Sequence, residues 1–345
     1  MGGAGAQGDL PAGRAGRRGE GTVSCCRVPA DGLDRSVEVD DARTPAPGEC
    51  IQGPIGSAGA RVVHGITQAR ILGGEFMMGD HFDEGYPQDG ETPVHPVRLE
   101  GFSMDATTVT VADFRGFVNE TAYVTEAERF RSSAVFHLEL SARRLNPVGA
   151  APVSGAPWWI TVPGAAWHAP LGPGSRAEDD HPVIHVSWND AQAYCHWAGR
   201  RLPHEAEWEY AARGGLEGRR YAWGDDLVPA GEHRCNIFQG RFPVENTVED
   251  GYLSTAPVRA FPANGYGLFQ MAGNVWEWCE DWFLPRYYRR SPIENPFGPP
   301  FGEGRVMRGG SFLCHDSYCN RYRVAARSRN SPDSSSSNCG FRTVA

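Results

Sequence analysis

Two cysteines five positions apart, Cys314 and Cys319, lie in the segment Gly309-Gly310-Ser311-Phe312-Leu313-Cys314-His315-Asp316-Ser317-Tyr318-Cys319-Asn320-Arg321-Tyr322-Arg323. Converging thiolates are soft donors that suit Cu(I) or Zn(II). On an α-helix five residues turn about 500°, which would aim the two thiols about 140° apart. They meet at one ion only if the segment is irregular. The Gly-Gly start and the Asp316-Ser317 pair suit such a loop. Zinc wants four ligands, and no second cysteine pair has ribbon or finger spacing. Two-coordinate Cu(I) needs only two. On spacing alone, a structural disulfide or a pair of inert core thiols stays open.

A second chemical candidate is oxygen-rich. Cys235-Asn236-Ile237-Phe238-Gln239-Gly240 is followed by Glu249-Asp250-Gly251-Tyr252. Asn, Asp and backbone carbonyls in such turns can hold Ca2+, which takes about 6–8 oxygens. Equally, Asn and Asp here can simply be making turns, and no EF-hand pattern is present. A third segment, Asn264-Gly265-Tyr266-Gly267-Leu268-Phe269-Gln270-Met271-Ala272-Gly273-Asn274-Val275-Trp276-Glu277-Trp278, reads as core with one carboxylate, Glu277, among indoles. A carboxylate so placed needs a cation or hydrogen-bond donors. Arg305, Arg308, Arg321, Arg323, Arg327, Arg329 and Arg342 crowd the C-terminal stretch. Their field can favour thiolate, or they can stack on aromatics and pair with carboxylates.

These groups must be positioned by a chain of 345 residues with formal charge -9. Nothing in it suggests the basic patch of a nucleic-acid surface. No apolar run reaches about 18 residues, so no spanning helix is expected. The N-terminus lacks the apolar core of a signal peptide, and Ala6 stands where a myristoylation signal needs Ser or Thr. A soluble, cytoplasmic protein is expected. Its nine cysteines, odd in number and irregular in spacing, are then no disulfide scaffold. Every aromatic residue lies at or after Phe76. Residues 1–68, rich in Gly, Ala, Pro and Arg, are expected to be a disordered or weakly ordered tail. Its Cys25-Cys26 pair reads as incidental. Residues 69–345 form the expected catalytic domain.

Helices are few. Thr110 with Asp113 caps one, which buries Val111, Phe114, Phe117 and Val118. Ser187 with Asp190 caps a second that Gly199 stops. Pro203 opens a third, Glu205 to Arg213, ended by Gly214-Gly215. Strand, turn and strand are expected over 71–79, and another strand over 94–102. Gly (43) and Pro (26) are abundant, and beyond Arg219 the helical period disappears. One α+β domain of short strands and long pinned loops follows, without internal repeats.

The sequence resembles the formylglycine-generating enzyme and sulfatase-modifying-factor family, in its bacterial, aerobic, copper-dependent type. The resemblance runs from about Arg70 to Arg342. It is carried by Gly73-Gly74-Glu75-Phe76-Met77-Met78-Gly79, His181-Pro182-Val183-Ile184-His185-Val186-Ser187-Trp188-Asn189-Asp190-Ala191, Arg201-Leu202-Pro203, Gly273-Asn274-Val275-Trp276-Glu277-Trp278, Arg308-Gly309-Gly310-Ser311 and Gly340-Phe341-Arg342. These belong to a wide superfamily. The cysteine loop itself, Asn330-Ser331-Pro332-Asp333-Ser334-Ser335 and Ala156-Pro157-Trp158-Trp159 point to the oxidase branch.

The resemblance implies a single C-type-lectin-like α+β domain with little regular structure. It implies that Cys314 and Cys319 bind Cu(I), joined by the thiolate of a client cysteine. O2 is activated, the client Cβ hydrogen is abstracted, and the resulting thioaldehyde hydrolyses to Cα-formylglycine. The client is an unfolded type I sulfatase polypeptide read at Cys-x-Pro-x-Arg. Ser311 and His315 are candidates to hydrogen-bond an oxygen species or order water beside Cys314. Trp158, Trp159 and Trp276 are candidate walls of the peptide cleft. One Ca2+ site maps to Asn236, Ile237, Asp250 and Tyr252, and a second to Gln270, Gly273, Val275 and Glu277. Ile237, Tyr252, Gly273 and Val275 would use backbone carbonyls.

Three departures stand out. Gln270 replaces the usual Asn of the second calcium set. His204 replaces a capping Thr, a loss of about 1 kcal/mol. Thr343 replaces a Cys that, in secretory-pathway relatives, bonds to the position of Cys195, which fits a cytoplasmic type. A monomer is the simplest expectation. A non-catalytic lectin-like or client-binding paralogue is the alternative, though such members lack the paired thiols. A non-haem iron sulfoxide synthase ranks last, because no room exists for its added helical domain.

Overall fold

The computed structural model describes residues 64–345; positions 1–63, including Cys25-Cys26 and most of the expected tail, lie outside the described residues. The fold begins before the expected boundary at residue 69. His64 is buried, with Nε2 2.8 Å from Asp105 Oδ1 and Nδ1 3.1 Å from the Tyr194 hydroxyl. A polar anchor of this kind leaves no apolar signature, which is why composition placed the start a few residues late.

Short strands follow the turn signals. β1 (Gln68–Ile71) and β2 (Gly74–Met78) pair not with each other but with β4 (Phe102–Asp105) and β3 (His95–Leu99) respectively, both antiparallel. The run expected as one strand over 94–102 is therefore two, parted at Glu100-Gly101. A second sheet has the order β5-β7-β6, from β5 (Ser132–Phe136), β6 (Ala151–Val153) and β7 (Ala156–Pro163).

The capped helices form as read. In α1 (Val111–Thr121), Thr110 Oγ1 accepts the Asp113 N–H and the Asp113 carboxylate accepts the Thr110 N–H, each at 3.1 Å. Two short helices, α2 (Glu126–Arg129) and α3 (His137–Ala142), flank β5. α4 (Trp188–Ala198) carries the same capping box on Ser187 and Asp190, and left-handed Gly199 stops it. α5 (Glu205–Arg213) has no hydroxyl cap at His204. Asp281 supplies a carboxylate cap from elsewhere: its Oδ2 accepts the Glu205 N–H at 2.8 Å and faces His204 Nδ1 at 3.2 Å.

After a two-residue hairpin pair, β8 (Gly240–Arg241) and β9 (Glu245–Asn246), comes the sheet that supports the site. Its order is β12-β11-β10-β13, from β10 (Trp276–Trp282), β11 (Arg305–Arg308), β12 (Arg327–Asn330) and β13 (Cys339–Gly340); β13 runs parallel to β10 and the other pairings are antiparallel. Trp276, Trp278, Trp159, Phe136 and Tyr194 pack one apolar cluster against it. Trp208, Phe76, Met104, Phe283 and Val306 form another.

With so little ladder, buried ion pairs pin the loops. Arg308 reaches Glu205 at 3.1 Å and Glu209 at 2.5 Å, Arg327 reaches Glu205 at 2.7 Å, and Arg323 reaches Glu91 at 2.8 Å. Arg321 binds Asp89 at 2.6 Å, and Arg305 lies between the Trp188 and Trp282 rings. The crowded arginines are thus committed to carboxylates and rings, and act as structural counter-ions.

Candidate functional site

The thiol loop leaves β11 through two glycines. Gly310 has φ 73°, and a Cβ there would stand 2.6 Å from the Arg321 carbonyl oxygen. That close approach needs glycine, and it brings the two ends of the segment together. Within the loop, the His315 carbonyl accepts the N–H groups of Tyr318, Cys319 and Asn320 at 3.0, 2.9 and 3.1 Å. These bonds close one tight turn over residues 315–320, between the two cysteines. Neighbours hold the rest: Phe312 N–H bonds Asn274 O at 3.0 Å, Phe238 N–H bonds Cys314 O at 3.1 Å, and the Tyr86 hydroxyl bonds Tyr318 O at 3.2 Å.

Both Cys314 and Cys319 are fully buried thiols in the same apolar cluster. The segment is irregular, as their convergence requires. Burial raises the pKa of the Tyr322 phenol, and the nearby Tyr221, Asp316, Cys319 and Cys314 raise it further. The Ser311 N–H points at Cys314 Sγ, 3.4 Å away, and the buried Ser311 hydroxyl accepts the Leu313 N–H at 3.3 Å and an Asn338 amide N–H at 2.9 Å. His315 turns onto its own loop. Its Nδ1 accepts the Ser317 N–H at 3.2 Å and lies 2.8 Å from the Ser317 hydroxyl, and its ring meets Phe238 edge-on.

The expected tryptophan walls divide. Trp158 is half-buried and meets Tyr318 and Phe242 edge-on, with centroids 5.4 and 5.8 Å away; Phe242 stacks on Tyr318 at 4.4 Å. Trp159 and Trp276 expose no surface. They are core side chains, and the expectation that they line a peptide cleft is corrected. For Trp159 the strand period of two decides the matter, because adjacent residues face opposite sides. Phe242 and Tyr318 were missed as members of this patch. Asn338 was missed because a lone amide in a serine-rich run carries no motif.

The donor sets can be tested for fit. Two buried thiols in one loop and one cluster offer the soft donors that Cu(I) prefers. In the first calcium set, Asn236 Oδ1 is a buried acceptor without a partner among the described residues. The Gln239 amide nitrogen bridges Ile237 O and Asp250 Oδ2, marking a point where positive charge is favoured between oxygens. Burial raises the Asp250 pKa, as for a carboxylate lacking a full counter-ion. Gly273, at φ 72°, passes so close to Asn236 O that a Cβ would sit 2.3 Å from it, which joins the two calcium segments. In the second set Gln270 Oε1 is likewise a buried acceptor without a partner. Glu277, however, takes Arg342 on both oxygens at 2.7 Å and Trp208 Nε1 on Oε2 at 2.8 Å. Only Oε1 keeps an open lone pair, so an ion there shares Glu277 with a guanidinium.

Comparison with known proteins agrees with this picture. The sulfatase-modifying factor enzyme 1-like domain matches residues 59–345. The chain belongs to that family. It is 65% identical over 277 residues to the formylglycine-generating enzyme of Streptomyces coelicolor, covering 80% of this chain and 88% of that one. It is 57% identical over 280 residues to the formylglycine-generating enzyme of Thermomonospora curvata, covering 80% and 92%. Among solved structures, PvdO from Pseudomonas aeruginosa shares the fold, with TM-score 0.59 at 22% identity over 80% of this chain and 93% of that one.

Proposed function

We propose that this chain is a formylglycine-generating oxidase acting on a cysteine of a client sulfatase. The observation that carries the reading is the pair of fully buried thiols, Cys314 and Cys319, held in one irregular loop and one apolar cluster. They would hold Cu(I), and the client cysteine would come in beside them. Copper, when bound, supplies a soft one-electron donor toward O2. The client side chain loses two hydrogens to O2 as acceptor. The thioaldehyde left behind takes up water and releases hydrogen sulfide, leaving the aldehyde.

The residues of this chain bind and shield. Burial of the loop keeps bulk water from the sulfurs, and the Ser311 N–H, 3.4 Å from Cys314 Sγ, gives the sulfur a fixed donor, with the buried Ser311 hydroxyl on the same residue. The patch of Trp158, Phe242 and Tyr318 offers apolar faces to an extended peptide and suits the proline of a Cys-x-Pro-x-Arg segment. His315 shapes the loop through its Nδ1 contacts with Ser317. Calcium at Asn236, Ile237, Asp250 and Tyr252 would tie down a segment that contributes Phe238 to the loop, and Gln270, Gly273, Val275 and Glu277 would form a weaker second site. No described helix is long and apolar enough to cross a membrane. Cys195 is a buried thiol, and Thr343 spends its hydroxyl on Asp105 at 2.6 Å. We read the setting as reducing and cytoplasmic, where Cys195 stays a thiol, and the protein as a monomer.

The test is mass spectrometry of a synthetic Cys-x-Pro-x-Arg peptide incubated with enzyme and Cu(I) in air. The mass change of –CH2SH to –CHO is expected, together with oxygen uptake, and Cys314→Ser or Cys319→Ser should abolish both. An unchanged peptide with copper-loaded, folded protein would reject the proposal.

A further inference from the structure

We propose that Asn338 is a positioning residue, which locks the Ser311 hydroxyl as a one-directional hydrogen-bond donor beside the thiol pair. This deepens the oxidase reading and rests on it.

A hydroxyl has one donor and two acceptor lone pairs. Ser311 Oγ is fully buried, so water cannot complete its bonding. Asn338 Nδ2 donates to it at 2.9 Å and Leu313 N–H at 3.3 Å, which fills both acceptor positions. Its own hydrogen then has only the remaining direction. The Ser311 N–H reaches Cys314 Sγ at 3.4 Å, so the sulfur lies on the same residue's flank. A donor fixed before reaction stabilises negative charge without reorganising, and the chemistry beside Cys314 passes through anionic sulfur and reduced oxygen.

Asn338 is itself held from both ends. Its Oδ1 accepts the Ser336 hydroxyl at 2.8 Å and faces Cys339 Sγ at 3.5 Å, which sets the amide with nitrogen toward Ser311. Its carbonyl accepts the Trp276 N–H at 2.8 Å, so its backbone is fixed to the first residue of β10. The opposite amide setting would turn Oδ1 toward Ser311 and make Ser311 donate to Asn338, away from the thiols. The two settings predict opposite results for an acid at this position.

The experiment is a double-mutant cycle on the copper-loaded enzyme with a Cys-x-Pro-x-Arg peptide: Ser311→Ala, Asn338→Ala and the pair, with Asn338→Asp as a fourth variant. Thermal unfolding and Cu(I) affinity, by competition with a chromophoric chelator, are measured for each. Asn338→Ala should lower kcat about 10- to 100-fold, with KM and Cu(I) affinity within about twofold. It should cost nothing further in the Ser311→Ala background, since neighbours acting through one group are non-additive. Asn338→Asp, an acceptor that takes the Ser311 hydrogen, should lose as much activity as Ser311→Ala. Additive losses overturn the proposal, as does full activity in folded Asn338→Asp. If Asn338→Ala does not fold, Asn338→Ser replaces it in the cycle. Failure of the oxidase reading looks different, because wild-type enzyme would then leave the peptide unconverted.

Discussion

Trp158 and Trp159 are neighbours in β7 whose rings stand on opposite faces of the sheet: Trp158 packs edge-on against Tyr318 of the thiol loop, and Trp159, opposite Phe136 in the ladder, is sealed in the core. Their mutations should therefore separate binding from folding. Trp158→Ala is expected to raise KM for the client peptide about tenfold, near 1.4 kcal/mol, with little change in the unfolding midpoint. Trp159→Ala should cost about 3–5 kcal/mol of stability. Steady-state kinetics and urea unfolding on both variants check this. Equal destabilisation with unchanged KM would remove Trp158 from the client surface.

Glu139 makes stability fall at high pH. Burial pushes its pKa up to about 7, against the pull of the Ser337 hydroxyl, the Phe136 N–H and Arg143. The folded state holds the proton more tightly than the unfolded chain. Neutral Glu139 is thus favoured below the ordinary value of 4.5, and stability is lost as pH rises toward 7 and beyond, by about 3 kcal/mol in all. Glu139→Gln keeps the acceptor for Ser337 without the charge. It should match wild type at pH 5 and exceed it by about 1–3 kcal/mol at pH 8. Denaturant unfolding at the two pH values decides, and a variant no more stable at pH 8 contradicts the assignment.

Glu209 has the reverse sign. Burial alone would raise its pKa, but the charges of Arg213 and Arg308 and the Gly79 N–H bring it down to about 2. Its contribution is complete above the ordinary value of 4.5 and is lost as pH falls toward 2. Glu209→Gln leaves two buried guanidiniums short of a charge and should cost about 3–5 kcal/mol at pH 7. The gap to wild type should narrow steadily below pH 4. A constant gap down to pH 2 would show that Glu209 is not ionised in the fold.

The helix caps, the irregular cysteine loop and the α+β class were legible because each rests on local chemistry: Thr110 with Asp113, Ser187 with Asp190, Gly-Gly before Ser311. What was not legible depends on distant partners. Nothing near His204 in sequence announces that Asp281 will cap its helix. Pairing of β1 with β4 and of β2 with β3 is decided by packing across long loops. Glu277 reads as a lone carboxylate until Arg342 folds onto it. Trp159 is the exception, since strand alternation alone separates it from Trp158. Asn338 is identified only by the hydroxyl it faces.

Asn236 and Gln270 each bury an amide oxygen without a partner among the described residues, but their surroundings differ in charge, and this should order calcium release. Near Asn236 the carboxylate is Asp250, whose Oδ2 takes the Ile237 N–H at 2.9 Å and an amide hydrogen of Gln239; no ion pair to Asp250 is found among the described residues. Near Gln270 the carboxylate is Glu277, already neutralised by Arg342. A divalent ion gains more from the first set, since cation and guanidinium repel at the second. Chelation should therefore release calcium in two steps, the weaker abolished by Gln270→Ala and the tighter by Asp250→Asn. Saturating the tighter site at about 100 times its dissociation constant adds about 2.7 kcal/mol of stability, seen as a higher unfolding midpoint with calcium than with chelator. That increment should disappear in Asp250→Asn and survive in Gln270→Ala. If calcium leaves the midpoint of the wild-type protein unchanged, neither oxygen set holds it.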